Sequence, residues 1–300
     1  MWPSPMTIRT TAGSWARAAR SRESWRPTSP GRGVTFCEQG GEVTRVATLP
    51  TDVGAALTVG VVDKIDVGFC FLDDPDFVTD ADRDSRLLRR WHQRLWSKSL
   101  SEGQSIAWDL EPGTSCLVSG AHRVSSDTIA TTHSNYQRLG ASQLWEALDE
   151  HERLRFDRLF YTIGGLIIFP TRPQSLNQRR GTGGAVADRF DLTLECIRQH
   201  YIGLGNNPLA DVLSVDAAYF RLFGQGAAGF ATFIEFFHLQ DLATADAVRW
   251  LDGRVGGEWR FDRPALPQTL DDYRKYLANV ADFVAARNAR IREWCDQHSL

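Results

Sequence analysis

The stretch that decides the fold is Leu159–Pro170, LFYTIGGLIIFP, the longest apolar run in the chain. Its 12 residues fall well short of the roughly 20 a helix needs to cross a bilayer, and Gly164–Gly165 interrupts them. Tyr161–Phe169 reads instead as a buried strand ended by Pro170.

Working outward, the N-terminal side carries short strand and helix signals. Ile65, Val67, Phe69 and Phe71 alternate as a strand over Ile65–Leu72 should. An acidic loop, Asp73–Asp84, precedes a helix near Ser85–Trp96 with Leu87, Leu88, Trp91 and Leu95 on one face. Ser105–Leu110, Ser115–Ser119 and Arg123–Ser126 are short strand candidates divided by Pro112–Gly113 and Gly120. Helices are expected over Thr128–Leu139 and from Ser142 towards Arg158. From Ala185 onward the pattern is mainly helical: Ala185–Tyr201, Pro208–Phe223, Phe230–Leu239 and Thr269–Trp294. Asn207–Pro208 is a helix-start signal, and Thr269 with Asp272 resembles a capping box. Strands early and helices late indicate an α+β fold rather than a doubly wound sheet.

The formal net charge of −3 argues against a dedicated nucleic-acid binder. That average is uneven. Residues 1–50 hold seven arginines and three glutamates, a local +4, whereas residues 51–300 hold 27 basic and 34 acidic groups, a local −7. The first 60 or so residues are rich in Arg, Ser, Pro and Trp and show no sustained period, so a disordered arm over residues 1–62 is expected. An over-extended start codon in GC-rich coding DNA explains the same composition equally well. Residues 63–297 then form one globular domain. The first 22 residues lack acids, as organellar transit peptides do, but they also lack the apolar stretch of a secretory signal. The five cysteines are scattered and odd in number, without a CxxC pair, which fits reduced thiols in a cytoplasmic protein.

No motif fixes a reaction. Asp80, Asp82 and Asp84 match the first positions of a calcium loop, but Ser85 and Trp91 stand where Gly and Glu are required. Asp73, Asp74 and Asp76 could serve magnesium after a strand, yet Asp-Asp-Pro-Asp is ordinary turn chemistry. No histidine lies in an HxH or HExxH pair and no GxSxG elbow is present, so no metal site is expected; a triad of His133, Asp127 and a serine could form only in space. The sequence names no cofactor and no oligomeric state.

The richest segment is Asn177–Tyr201, NQRRGTGGAVADRFDLTLECIRQHY. Gly181 follows Asn177, Arg179 and Arg180 and precedes a helix, where backbone amides and guanidinium groups together suit an anion. As a dinucleotide fingerprint it fails, because Val186 replaces the third glycine. On the helix, Asp188, Asp191 and Glu195 share a face with Leu192, and Arg198 flanks it. That face is either solvated, with Glu195–Arg198 a surface pair, or lines a cleft where crowded acids act as acid and base. In the last helix Arg287 falls inside an apolar arc, so it needs a carboxylate or a ligand anion; Asp216, inside another apolar arc, could pair with it.

The chain resembles a family of uncharacterised bacterial proteins, frequent in high-GC lineages and known only as a domain of unknown function. The resemblance rests on LRRWHQRLWSK (Leu88–Lys98), SSDTI (Ser125–Ile129), YTIGGLIIFP (Tyr161–Pro170), ADRFDLTLECIRQHY (Ala187–Tyr201) and FVAARNARI (Phe283–Ile291). It implies a single domain over about residues 65–295 and carries no activity or residue role. Two functions compete. One is a soluble ligand-binding or enzymatic domain whose polar cleft takes a small anionic ligand on Asn177, Arg179, Arg180, Gly181, Arg198 and Arg287, with Asp188, Asp191 and Glu195 as catalytic candidates. The other is a regulatory or interaction protein whose charges are structural ion pairs and whose aromatic Phe230–Phe237 stretch packs inside or against a partner.

Overall fold

The computed structural model describes residues 64–298 apart from 78–79, 101–102, 104–105, 112–113, 115, 131–141, 172–174, 181–185, 187, 256–258, 260 and 262–264. The expected N-terminal arm therefore lies outside the described residues, as do Gly181, His133 and all but the start of the Thr128–Leu139 helix. Thr128 itself ends a strand.

Four antiparallel strands form one sheet in the order β1 (Asp109–Leu110), β2 (Leu117–Ser119), β3 (His122–Thr128) and β4 (Leu166–Pro170). A tight turn at Gly120–Ala121 joins β2 to β3, pairing Ser119 with His122. β3 and β4 pair from Val124–Pro170 to Thr128–Leu166. Before the sheet come α1 (Ala81–Asp84) and α2 (Arg86–Trp96), and between β3 and β4 lie α3 (Ser142–Glu146) and α4 (Glu150–Phe160). After it follow α5 (Leu176–Arg179), α6 (Phe190–Tyr201), α7 (Ala210–Val215), α8 (Ala217–Arg221), α9 (Gly226–Phe236) and α10 (Leu270–Gln297). The α+β reading with a mainly helical C-terminal half holds. No helix among the described residues is long and apolar enough to cross a membrane.

Several boundaries differ from those expected, each for a local reason. Ile65–Leu72 is not a strand, although Ile65, Val67 and Phe71 are buried. The Asp66 carboxylate accepts from Gly68 N–H (3.0 Å) and turns the chain, and a 3-10 turn follows at Phe71–Asp73. The Ser142–Arg158 helix is two, because Asp149 caps α4 with Glu152 in a capping box. The Pro208–Phe223 helix is also two, since helical geometry lapses at Asp216, whose carboxylate accepts from Leu176 N–H (3.3 Å) at the start of α5. Asn207 receives Leu209 N–H (3.0 Å), so that helix begins later, at Ala210. α6 starts at Phe190 rather than Ala185 because Asp188 has φ +66°.

β4 is buried along its whole length yet sits at the end of the sheet order. Its outer edge must therefore be satisfied by something other than a strand. Side chains do this. Tyr219 Oη donates to the Ile168 carbonyl (2.9 Å), and Arg287 Nη1 donates to the carbonyls of Leu166 (2.6 Å) and Gly164 (2.9 Å). Arg287 Nε reaches the Phe237 carbonyl (2.9 Å), which ties in the end of α9. Next to it, Asn288 accepts from Gly164 N–H (2.7 Å) and donates to Thr162 Oγ1 (2.8 Å). The two glycines permit this closeness. A Cβ at Gly164 would lie 2.5 Å from Asn288 Oδ1, and one at Gly165 would lie 2.0 Å from the Phe160 carbonyl oxygen.

α10 delivers these groups. Thr269 caps it by accepting from Asp272 N–H (3.2 Å), and Tyr273, Leu277, Val280, Val284, Arg287 and Ile291 form its buried stripe. Phe190 of α6 stacks on Phe283 of α10 (6.2 Å between ring centres), which brings the two helices into contact at these rings. The aromatic stretch of α9 packs internally: Phe230, Phe233, Phe236 and Phe237 are buried among Trp96, Tyr201, Tyr219, Phe220 and Phe223. Arg287→Met should cost about 3–5 kcal/mol in denaturant unfolding, because it strands buried carbonyls as well as losing the guanidinium. Gly165→Ala should cost at least about 3 kcal/mol, since the obstacle is backbone that cannot step aside.

Candidate functional site

β3 carries the polar chemistry of the fold, with its alternation sending neighbouring residues to opposite sides. Ser125 and Asp127 face α5. Asn177 Nδ2 donates to Ser125 Oγ (2.6 Å), and Arg180 Nη1 reaches Asp127 Oδ2 (2.6 Å) and the Thr128 carbonyl (3.1 Å). Arg180 is fully buried, with Asp188 Oδ1 at 3.0 Å as a second carboxylate partner. Asp188 N–H donates back to the Arg180 carbonyl (2.7 Å), which holds Asp188 in its left-handed conformation. These bonds offset a large desolvation cost, and the two carboxylates keep the Arg180 guanidinium charged despite its burial.

The other residues singled out by sequence are distributed around this cluster. Asp191, buried at the start of α6, pairs with Arg189 (Nε to Oδ1, 3.1 Å) and accepts from Leu251 N–H (2.8 Å). Arg189 also reaches Asp252 Oδ2 (3.2 Å) and lies over the Trp259 ring (4.9 Å). Glu195 is buried and grips Arg198 through both oxygens (2.7 and 2.8 Å), with Gln199 also donating to it (2.8 Å). That pair exists as expected, but its helix face is covered by protein, Leu192 included, and is not solvated. Arg179 is exposed. Arg287 stands apart on the far edge of β4. It is bound by three carbonyls and not by Asp216, because α10 aims it at the unpaired strand edge; burial lowers it to about 9, so it remains a cation at neutral pH.

Sequence reading missed a second cluster on the opposite face of β3. Asp82, at the first turn of α1, is buried and accepts from Ser126 N–H (2.6 Å) and Ser126 Oγ (2.7 Å). His92 of α2 brings Nε2 to 3.3 Å from the same hydroxyl and Nδ1 to 3.7 Å from Asp82 Oδ1. Burial, helped by Asp80, raises the Asp82 carboxyl to about 7 against the Ser126 hydrogen bonds, and burial alone lowers His92 to about 3. Between about pH 4 and 6.5 the pair is thus neutral, with its titrating proton on the carboxyl. His92 lies inside the apolar arc of α2 and Ser126 on the apolar face of β3, so each needed a polar partner. Those two positions were the available signal. Nothing distinguished Asp82 from the other aspartates of its loop.

The described residues hold a further feature, an open cleft of about 420 Å³ between α4, α10 and the chain at residues 68–70. Arg155 and Arg158 of α4 and Arg292 of α10 line it, over a floor of Cys70, Thr162 and Asn288. Arg158 is bound to Asp73 (Nη1 to Oδ1, 3.1 Å) in a half-exposed pair. Arg155 lies over the Phe156 ring (4.8 Å), and neither it nor Arg292 has a carboxylate partner among the described residues. The floor is already saturated, since Thr162 Oγ1 donates to the Leu159 carbonyl (2.7 Å) and accepts from Asn288. Charge is therefore what the cleft offers. No group of three or more metal-ligating side chains occurs among the described residues.

A family model described as a family of unknown function (DUF6994) matches residues 65–291, and the chain belongs to that family. No curated protein and no solved structure matches it.

The neutral Asp82–His92 pair has a pH signature. Between about pH 4 and 6.5 the unfolded chain carries one proton on the pair, on His92, and the folded chain carries one, on Asp82, so the pair adds no slope. Asp82→Asn removes the folded proton only. Its stability relative to wild type should rise by about 1.4 kcal/mol per pH unit across that window. His92→Gln removes the unfolded proton, and its relative stability should fall at the same rate. Urea denaturation at pH 4.5, 5.5 and 6.5 checks both, and parallel curves for the three proteins would refute these protonation states.

Proposed function

We propose that this chain binds a small anionic ligand, as a ligand-binding or enzymatic domain, in the cleft between α4, α10 and residues 68–70. One observation carries the reading: Arg155 and Arg292 converge on one concavity from two helices with no carboxylate partner among the described residues. Guanidinium groups gathered without counter-charge repel each other and raise the local potential, which an anion relieves. The volume suits a small molecule rather than a macromolecule. The guanidinium groups of Arg180, Arg198 and Arg287 are held by protein acceptors, so this reading assigns the ligand to the α4–α10 cleft and those three arginines to the scaffold. Cys70, Cys116, Cys196 and Cys295 are thiols, which supports a reducing, cytoplasmic setting.

The second reading is a regulatory or interaction protein. The Arg180–Asp127–Asp188 and Arg189–Asp191–Asp252 groups favour it, because such buried pairs need no ligand to explain them. Thermal melting of the full chain with inorganic phosphate, citrate and adenosine monophosphate separates the two. At about a hundredfold excess over its Kd, a bound anion should raise Tm by roughly 5–10 °C. Arg155→Ala/Arg292→Ala should abolish that rise while changing stability by no more than about 0.5 kcal/mol, since both side chains are exposed. An undiminished rise in the double variant would refute this location. No shift with any of the anions would favour the second reading.

A further inference from the structure

The cleft between α4, α10 and residues 68–70 has a pattern of charge along its length. The two helices run side by side in the same direction. Glu152 in the first turn of α4 accepts from Arg274 near the start of α10 (3.0 and 3.1 Å), and Thr162, just past α4, accepts from Asn288 (2.8 Å). Those two contacts fix which residues stand level. With a rise of ~1.5 Å per residue, Arg155 lies roughly 8–10 Å before the Thr162–Asn288 contact and Arg292 about 6 Å beyond it. The two arginines therefore reach the cleft from opposite ends, their backbones about 15 Å apart along it.

The stretch between those ends holds no unbalanced charge. Arg158, on the α4 wall, is bound through both terminal nitrogens to Asp73. Leu159 of α4 and Ala285 and Ala289 of α10 are apolar, and the side chains of Thr162 and Asn288 are bonded to each other and to backbone. Ala285 and Ala289 lie one turn apart on one face of α10, so that wall is low. Gly68 keeps the Arg292 end open. A Cβ there would stand 3.6 Å from Asp66 Oδ1 and 4.0 Å from Arg292 Nη2, an ordinary contact, but a longer side chain would crowd the guanidinium. The Asp66 carboxylate beside it accepts from Gly68 N–H (3.0 Å) and forms no ion pair with Arg292.

We propose that the ligand of this cleft is a two-ended dianion, a linear α,ω-dicarboxylate or a molecule of the same shape. One carboxylate sits on Arg155, the other on Arg292, and the uncharged chain lies along Leu159, Ala285 and Ala289. This assignment rests on the anion-binding reading above and narrows it. A compact anion such as inorganic phosphate engages one end and leaves the other guanidinium without a counter-charge. A diacid of matching length engages both, because its first contact holds the second carboxylate at high effective concentration. Burial of the chain against the apolar walls adds to the binding.

Isothermal titration calorimetry of the full chain with succinate, adipate, suberate and sebacate, against hexanoate, octanoate and inorganic phosphate, tests this. Binding should peak among the longer diacids, at least about tenfold tighter than succinate, octanoate or phosphate. Arg155→Ala and Arg292→Ala should each cost the best diacid about tenfold but change octanoate by about twofold or less, since a monoacid still has the other end. Both side chains are exposed, so both variants should fold, which circular dichroism checks. Gly68→Leu should weaken the best diacid by about tenfold while leaving both charges in place. Diacids no tighter than octanoate, an optimum at succinate, or affinities that climb with length alike in monoacids and diacids would overturn the two-ended ligand. Phosphate binding that the double arginine variant abolishes would in that case still uphold the anion site. Absence of binding by every anion would overturn both.

Discussion

The fold turns on one constraint: β4 is an edge strand with no access to water. A strand edge in solvent satisfies its carbonyls with water, and a central strand satisfies them with a neighbour. β4 has neither for Leu166 and Ile168, and the chain supplies Arg287 and Tyr219 instead. This choice propagates. Arg287 must come from a long helix anchored elsewhere, which is α10, and the approach of that helix requires Gly164 and Gly165. Asn288 then secures the turn leading into the strand, and the Phe237 carbonyl ties the end of α9 to the same guanidinium. Strand, helix and glycine pair form a single mechanical unit.

The same physics governs the other buried cations. A guanidinium keeps its proton at neutral pH even where burial lowers it, as at Arg287, so when buried it must collect acceptors. Arg180 gathers Asp127, Asp188 and the Thr128 carbonyl, and thereby fastens α5 and the start of α6 to the end of β3. Arg189 gathers Asp191, Asp252 and the Ala265 carbonyl, fastening the chain before α10 to α6. Such pairs add little net stability over apolar packing, but removing one partner is costly, so they specify which segments meet. Segments without regular structure between α9 and α10 depend on them most.

What was legible in the sequence follows from this division. Tyr161–Phe169 declared a buried strand because apolar density needs no partner to be recognised, although a 3-10 turn at Ile163–Gly165 delays the strand to Leu166–Pro170, and the 3.6-residue recurrence of α10 placed Arg287 inside its stripe. The demand for a partner was legible; the partner was not. Carbonyl oxygens are carried by every residue and leave no trace in composition, so a carboxylate such as Asp216 was the visible candidate. Asp216 instead serves the backbone of α5, as Asp66 and Asp149 serve turns and caps. The Ile65–Phe71 alternation misled for a related reason. Period-two burial arises wherever an extended segment lies on a core, and only Phe71 N–H finds a partner across, at the Tyr161 carbonyl (2.9 Å). The candidate cleft was hidden because Arg155, Arg158 and Arg292 resemble any exposed arginine on an amphipathic helix until α4 and α10 are set side by side.

Arg287, fully buried, and Lys98, half-buried, are held in different ways beside the C-terminal end of α9. Each lacks a carboxylate, and each faces the Phe236–Phe237 end of α9. Arg287 keeps its charge by donating from Nε and Nη1 to three carbonyls, a geometry that its planar fork suits. Lys98 has only the Phe236 carbonyl and a neutral imidazole to share its proton, and the Arg287 charge nearby makes retaining it harder still. The amine can yield where the guanidinium cannot. Burial lowers the Lys98 amine first, and the cation that solves the edge-strand problem of β4 adds to that lowering, so the two sites share one electrostatic environment.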